Sequence, residues 1–168
     1  EHCAEMADSV ISLLGPGKKE LVVDIASNDG CLLEQFKKKG FMVTGVEPAE
    51  NIAKIANSKG IETLCKFWDD GVAETILEKY GKAKVITATD VFAHVDDLNS
   101  FLKAVCILLD KNGLFIIEVP HLYDLLAKNE FDTIYHEHLS YFLVKPLKIL
   151  FDGNKLEIFR VEKHSIHG

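Results

Sequence analysis

The chain has 168 residues, 48% of them hydrophobic, and a formal net charge of −7. That length and apolar content suffice for one substantial core in a single domain, and the negative charge argues against a broad nucleic-acid or anionic-membrane surface. No apolar run reaches the length of a membrane span and no secretory leader is visible, so the expected setting is a bacterial or archaeal cytoplasm.

In chain order, Cys3 to Leu14 reads as a helix with Met6, Val10, Leu13 and Leu14 on its apolar face, ended by Gly15-Pro16-Gly17. Leu21, Val22, Val23 and Ile25 form a nearly continuous apolar run with Asp24 near its end, as expected of a strand covered on both faces of a parallel sheet. Ala26, Ser27 and Asn28 supply small residues, Asp29-Gly30 a turn, and Cys31 opens a helix. Small residues let the backbone approach a ligand, and a helix N-terminus offers it free N–H groups. A second strand, Phe41 to Val46, ends in Glu47-Pro48. An acidic residue there can accept hydrogen bonds from both hydroxyls of a ribose. The unit is a nucleoside-cofactor site.

A helix over Ala49–Lys59 follows, with Gly60 as its glycine cap, then a short strand over Ile61–Leu64 and a loop holding Phe67 and Trp68. Val72–Tyr80 is helical, Ala83–Ala88 a further apolar strand, and Asp96 or Asp97 caps an amphipathic helix carrying Leu98, Phe101, Leu102, Val105, Leu108 and Leu109. Asp110-Lys111-Asn112-Gly113 turns the chain into a strand over Leu114–Val119. Beyond it, His121–Asn129 and Leu147–Phe151 are expected helices, and Lys155–Glu162 an expected strand. This βαβαβαβαβ order predicts an α/β, doubly wound, mostly parallel sheet with its ligand crevice at the C-terminal strand ends. Asp24–Gly30, Glu47, the Trp68 loop, Asp90–His94 and Pro120-His121 all fall on that edge. Cys3, Cys31, Cys65 and Cys106 are widely spaced with no C-x-x-C pair, which predicts buried free thiols rather than disulfides or a zinc knot. The chain starts inside an apparent helix and stops at His167-Gly168 with no closing element, which reads as a piece of a longer protein.

A dinucleotide fold requires G-x-G-x-x-G so that backbone can touch a pyrophosphate. This chain has one glycine there, with Asn28 and Asp29 where phosphate would lie. A carboxylate repels a pyrophosphate and suits a cofactor bearing an ammonium group, which speaks against a nicotinamide-dependent protein. The stretch resembles motif I of the class I S-adenosylmethionine (SAM) methyltransferases, D-I-G-x-G-x-G, with Ala26 and Asn28 in place of the first two glycines.

Phe131 to Phe142, F-D-T-I-Y-H-E-H-L-S-Y-F, is the second informative stretch. Histidine titrates near neutrality and takes up protons, glutamate can orient an imidazole, and tyrosine can donate to an oxyanion. Two other readings stand beside this one. His136-x-His138 with His94, His121, His164 or His167 could ligate a metal, or the histidines are structural caps. Strand geometry would not put Tyr135, Glu137 and Ser140 on one face with His138, so a loop is expected.

This stretch, with V-F-A-H-V-D-D-L and the terminal S-I-H-G, resembles the sugar C-methyltransferases, which include NDP-4-keto-hexose 3-C-methyltransferases of deoxysugar pathways. The similarity runs from about Glu5 to Gly168. It implies the class I SAM-methyltransferase (Rossmann-like) fold, truncated before its last strand, with the family's zinc module and C-terminal domain absent. It also implies that Asp24, Ser27, Asn28, Asp29 and Gly30 line the methionine part of SAM. Glu47, followed by Pro48, would hold the ribose, with Phe67 and Trp68 flanking the adenine. Asp90 stands near the transferable methyl, where the family often has asparagine. Tyr135, Glu137 and His138 fall on the catalytic signature, with His94 as companion. No resident metal is implied; S-adenosylhomocysteine would be the product and a nucleotide sugar the small-molecule partner. His138 would take the C3 proton beside the ketone, oriented by Glu137, while Tyr135 or His94 stabilises the enolate oxygen. An O- or N-methyltransferase and a non-catalytic SAM-binding module remain the alternatives, and the oligomeric state is open.

Overall fold

Short apolar strands leave the chain no way to bury them except against one another with helices on both faces, and that is the arrangement found. The computed structural model describes residues 2–14, 19–131 and 134–164; the expected helix stop at Gly15-Pro16-Gly17 and the S-I-H-G terminus lie outside them. The elements run α1 (His2–Leu14), β1 (Leu21–Ile25), α2 (Cys31–Lys38), β2 (Met42–Val46), α3 (Glu50–Ser58) and β3 (Thr63–Leu64). They continue with α4 (Asp70–Tyr80), β4 (Ala83–Thr89), a single 3-10 turn (Phe92–His94), α5 (Leu98–Leu108), β5 (Leu109–Glu118), α6 (Leu122–Lys128) and α7 (Val144–Gly153). The strand order is β3-β2-β1-β4-β5, with every described pairing parallel. The order reverses between β1 and β4, which opens the crevice of a doubly wound sheet at their C-terminal ends.

Alternation along the strands builds two cores. Leu21, Val23 and Ile25 of β1, Ile86 and Ala88 of β4, and Phe115 and Ile117 of β5 face α4, α5 and α7. Val22, Val85, Leu114 and Ile116, one residue out of step, face α1 and α2. This period of two is why β1 reads as continuously apolar: both of its faces are buried. Caps fix the helix starts. The Asp69 carboxylate accepts from Val72 N at 2.8 Å, and the Asp97 carboxylate accepts from Asn99 N and Ser100 N at 3.0 Å each. Among the described residues no helix is long and apolar enough to cross a membrane.

Three expectations are corrected. The turn at Asp110–Gly113 is absorbed into β5 as an irregularity: pairing with β4 jumps from Ala83↔Leu109 to Val85↔Leu114, and Asn112 N bonds back to Asp110 Oδ1 at 2.9 Å. Lys155–Glu162 forms no strand. Leu156 and Ile158 pack on the core while Phe159 and Val161 are exposed, and the segment has no ladder partner among the described residues. The cysteines are free, but only Cys3 is half-buried; Cys31, Cys65 and Cys106 are exposed, because they fall at a helix start, in a loop and on the outer side of α5.

The loop after β1 stores backbone strain. Ala26 (φ +56°), Asn28 (φ +50°) and Gly30 (φ +81°) are all left-handed. Asparagine and glycine tolerate this region, whereas alanine carries a penalty of about 1–2 kcal/mol. Ala26→Gly, offset by the greater freedom of the unfolded chain, should leave the melting temperature equal or higher. Ala26→Val should cost about 2 kcal/mol, since a β-branched side chain is least compatible with positive φ; thermal melts of the two variants check the order.

Candidate cofactor and active site

β1 ends at the crevice with Asp24, which is fully buried. Its carboxylate accepts from Thr87 Oγ1 of β4 at 2.6 Å. Burial pushes Asp24 up to about 7, the Thr87 hydrogen bond opposing and the neighbouring Glu47 charge adding to the rise. Glu47, at the end of β2 and also buried, bridges two loops. Its Oε2 accepts from Asn28 N at 3.0 Å and its Oε1 from Ala49 N at 2.9 Å. These bonds fix the carboxylate and leave each oxygen a further lone pair.

The residues between them are held in distinct ways. Ser27 N donates to Val46 O at 3.1 Å, and the Ser27 hydroxyl packs against Gly45, buried and without a hydrogen-bond partner. Asn28 Oδ1 accepts from Asp29 N at 2.7 Å, and Asp29 Oδ1 from Cys31 N at 3.2 Å. Asp29 Oδ2 meets the Lys59 ammonium at 2.6 Å, which holds the Asp29 carboxyl below its usual range. Gly30 closes the loop, donating to Ser27 O and accepting from Glu34 N.

The N–H groups of residues 27–31 are thus all taken within the protein, by backbone carbonyls, by Glu47 and by the Asn28 and Asp29 side chains, and three carboxylates surround the loop with Lys59 already paired to one. That charge balance is hostile to a pyrophosphate. It suits a ligand that carries a cationic group and hydrogen-bond donors.

In the loop after β3 the two aromatics part company. Phe67 is 79% exposed and available as a stacking ring. Trp68 turns inward, donating from Nε1 to Phe101 O at 3.2 Å and packing on the Phe101 ring at 6.3 Å. Pro48 lies exposed at the start of the β2–α3 connection, its carbonyl accepting from Cys65 Sγ at 3.6 Å.

Across the crevice, Asp90 leaves β4 with φ +55° and donates its N–H to Glu118 O at 3.1 Å. The 3-10 turn that follows is anchored by Phe92, fully buried against Phe101, Phe142 and Phe151. This anchor delivers His94 to the second stretch. Ala93 O accepts from both Leu139 N (2.9 Å) and Ser140 N (3.2 Å). His94 Nδ1 lies 2.7 Å from Glu137 O; a carbonyl only accepts, so Nδ1 carries the proton and Nε2 of the neutral ring keeps its lone pair. Tyr135 Oη and His138 Nε2 are 2.8 Å apart, and the His94 and His138 rings sit at 4.9 Å.

His94, Tyr135 and His138 are therefore brought together, beside Asp90, on a cavity of about 1380 Å³. Glu137 joins them through its backbone carbonyl, which faces His94 Nδ1, and His138 Nε2 shares its hydrogen bond with the Tyr135 hydroxyl. Residues 134–141 form a loop, as expected. Sequence reasoning missed Thr87 as the partner of Asp24, and it missed the Phe92–Phe142 contact (5.4 Å) that docks the loop. An apolar ring inside each polar motif was the available signal.

Comparison with known proteins decides the family. The methyltransferase domain family matches residues 2–161. The chain belongs to that family. This methyltransferase domain is 39% identical over 168 residues to the C-methyltransferase NovU of Streptomyces niveus, a match covering all of this chain and 40% of NovU. It is 31% identical over 103 residues to the ubiquinone biosynthesis O-methyltransferase of Bordetella avium (strain 197N), covering 60% of this chain and 43% of that enzyme. The domain thus spans less than half the length of these relatives. Among solved structures, a SAM-dependent methyltransferase from Archaeoglobus fulgidus superposes with a TM-score of 0.70 at 19% identity, covering 90% of this chain and 68% of that one. The fold is that of the class I SAM methyltransferases, and the cofactor is SAM.

Proposed function

We propose that the protein to which this methyltransferase domain belongs C-methylates a nucleotide-linked 4-keto sugar at the carbon beside the ketone. The observation that carries the reading is the His94–Tyr135–His138 cluster, reached from the end of β4, the strand beside β1 in the sheet. It is supported by the similarity to NovU, a C-methyltransferase.

Asp24, with the Asn28–Gly30 loop, would hold the amino-acid end of SAM, Glu47 the ribose and Phe67 the adenine. SAM supplies an electrophilic methyl on a sulfonium whose charge disappears on transfer. The domain's own side chains have to generate the nucleophile. A ketone acidifies the proton on the adjacent carbon, and His138 would accept it in the tautomer whose Nε2–H donates to the Tyr135 oxygen, which leaves the Tyr135 proton for the substrate. Tyr135 is then a hydroxyl donor beside the developing enolate oxygen. His94, with its proton fixed on Nδ1 by the Glu137 carbonyl, presents Nε2 and donates from it only as the imidazolium. The Phe92 anchor keeps these groups in place, and alignment accounts for much of the rate.

The test is loss of the C3 proton from an NDP-4-keto-6-deoxyhexose in deuterated water, followed by proton NMR without SAM. The wild-type protein should catalyse exchange, and His138→Asn should slow it by about 10²–10⁴-fold. Equal rates for the two would remove His138 as the base. The second reading, transfer to oxygen, is favoured by the similarity to the Bordetella O-methyltransferase; it predicts SAM binding with no exchange on any such sugar.

A further inference from the structure

A carboxylate-held imidazole stands on the cavity wall, and the proposed proton abstraction makes no use of it. His121 follows Pro120 at the exit of β5, and its Nδ1 lies 3.0 Å from Asp124 Oδ2. Lys163 and His121 hold the Asp124 carboxyl below its usual range, so it is ionised and only accepts. The His121 proton therefore sits on Nδ1, and Nε2 of the neutral ring is a lone pair. Among the described residues that nitrogen has no hydrogen-bond partner.

The pair is fixed from several sides. His121 O accepts from Asp124 N at 3.0 Å and from Leu125 N at 3.2 Å, where α6 begins, and Leu125 is buried. Lys163 grips the other carboxylate oxygen, Asp124 Oδ1. His121 also pairs with Phe142 in an isolated parallel bridge, and Leu122 N donates to Phe142 O at 2.8 Å. Phe142 closes the loop that carries Tyr135 and His138, and its ring packs on Phe92, the anchor of His94. One aromatic hub thus places three histidines that arrive on different segments.

His121 and Asp124 line the same cavity as Asp90, His94, Tyr135 and His138. His94 is held by the same device, its Nδ1 turned to a carbonyl and its Nε2 left as a lone pair. The wall therefore presents acceptors: the Asp90 carboxylate and two imidazole nitrogens. A ligand seated against it needs donors, and the neutral donors of a sugar are its hydroxyl groups.

We propose that His121, positioned by Asp124, is a further binding residue for the methyl acceptor, its Nε2 accepting a hydrogen bond from one hydroxyl of the sugar. This role rests on the keto-sugar reading above.

C3 proton exchange from an NDP-4-keto-6-deoxyhexose, followed by proton NMR over a range of sugar concentrations, tests it. His121→Phe should raise KM about three- to tenfold, the loss of one hydrogen bond, with a smaller effect on kcat. His121→Gln keeps an acceptor and should recover part of that loss. Counterparts of the sugar that each lack a single hydroxyl complete the comparison. On one of them the His121→Phe penalty should vanish, because the partner of Nε2 is gone; on the others it should persist. A penalty equal on every sugar would mean a structural role and would overturn the assignment alone. No exchange by the wild-type protein on any of them would overturn the keto-sugar reading and the hydroxyl assignment with it. Nitrogen-15 NMR of the histidines gives a readout that needs no substrate: His121 should carry its proton on Nδ1, and Asp124→Asn should shift the ring toward the Nε2–H tautomer. A wild-type His121 protonated on Nε2 would also overturn the proposal.

Discussion

SAM affinity should climb by about an order of magnitude between roughly pH 6 and pH 7.5, and Asp24→Asn should abolish the climb. Asp24 is buried beside the loop proposed to seat the cofactor, and burial raises it to about 7. Only its carboxylate form attracts an ammonium group. The groups facing it are Glu47 from the end of β2, whose charge raises it, Thr87 from β4, whose hydroxyl lowers it, and the Cys3 thiol from α1. None of them is a cation, so the ligand is the natural counter-charge.

Without ligand, the same carboxylate costs stability as it ionises. Its folded value of about 7 lies above the ordinary 3.8, so the folded state binds more protons between those values. The contribution to stability is fully present below about pH 4 and is lost as the pH rises through about 7. Asp24→Asn keeps an acceptor for Thr87 and removes the charge. The variant should be more stable than wild type at about pH 8, by up to a few kcal/mol, and no more stable at about pH 4. Paired denaturant titrations and calorimetry across that range check both signs. A wild-type affinity flat in pH would show that Asp24 is not the group meeting the ammonium.

Gly45→Ala should destabilise the fold by about 2–3 kcal/mol. Gly45 pairs with Asp24 of β1 and Thr63 of β3, and the chain of the cofactor loop crosses directly above it. A Cβ there would lie 2.3 Å from Ser27 Oγ, 2.9 Å from Ser27 Cβ and 2.9 Å from Thr63 Oγ1. Rotating the serine hydroxyl relieves the first contact and leaves the others. The partial rescue expected is from Ser27→Gly combined with Gly45→Ala, because that removes both serine atoms; the coupling should exceed about 1 kcal/mol in a double-mutant cycle. Additive effects would mean that the loop yields instead.

Much of this was legible in the residues. The apolar run of β1, the acid at the end of β2 and the cap at Asp97 are local signals, and each of these elements formed where its signal lay. The motif I resemblance survives at the level of backbone: Ala26 and Asn28 take the left-handed conformation that glycine would favour at those two places. What the sequence left undecided depends on packing between distant segments. Whether Phe67 or Trp68 turns outward is settled by the Phe101 carbonyl on α5. The Ser27 hydroxyl faces Gly45 because the loop lies flat on β2, which no pattern in residues 26–30 encodes. The loop over residues 134–142 is held by Phe92 and the Ala93 carbonyl, some forty residues away, so its geometry was not readable from its own composition. Lys155–Glu162 carries strand-forming residues but has no partner among the described strands, and propensity without a ladder yields no strand.

Calorimetric titration of the chain with SAM, S-adenosylhomocysteine and NAD, repeated on Glu47→Ala, tests the cofactor site most directly. Glu47 holds both loops through Asn28 N and Ala49 N and is the residue proposed to meet the ribose. Low-micromolar binding of both adenosyl ligands, weakened at least about a hundredfold by Glu47→Ala, with no binding of NAD, is the predicted result. Tight NAD binding, or SAM binding untouched by the loss of Glu47, would contradict it.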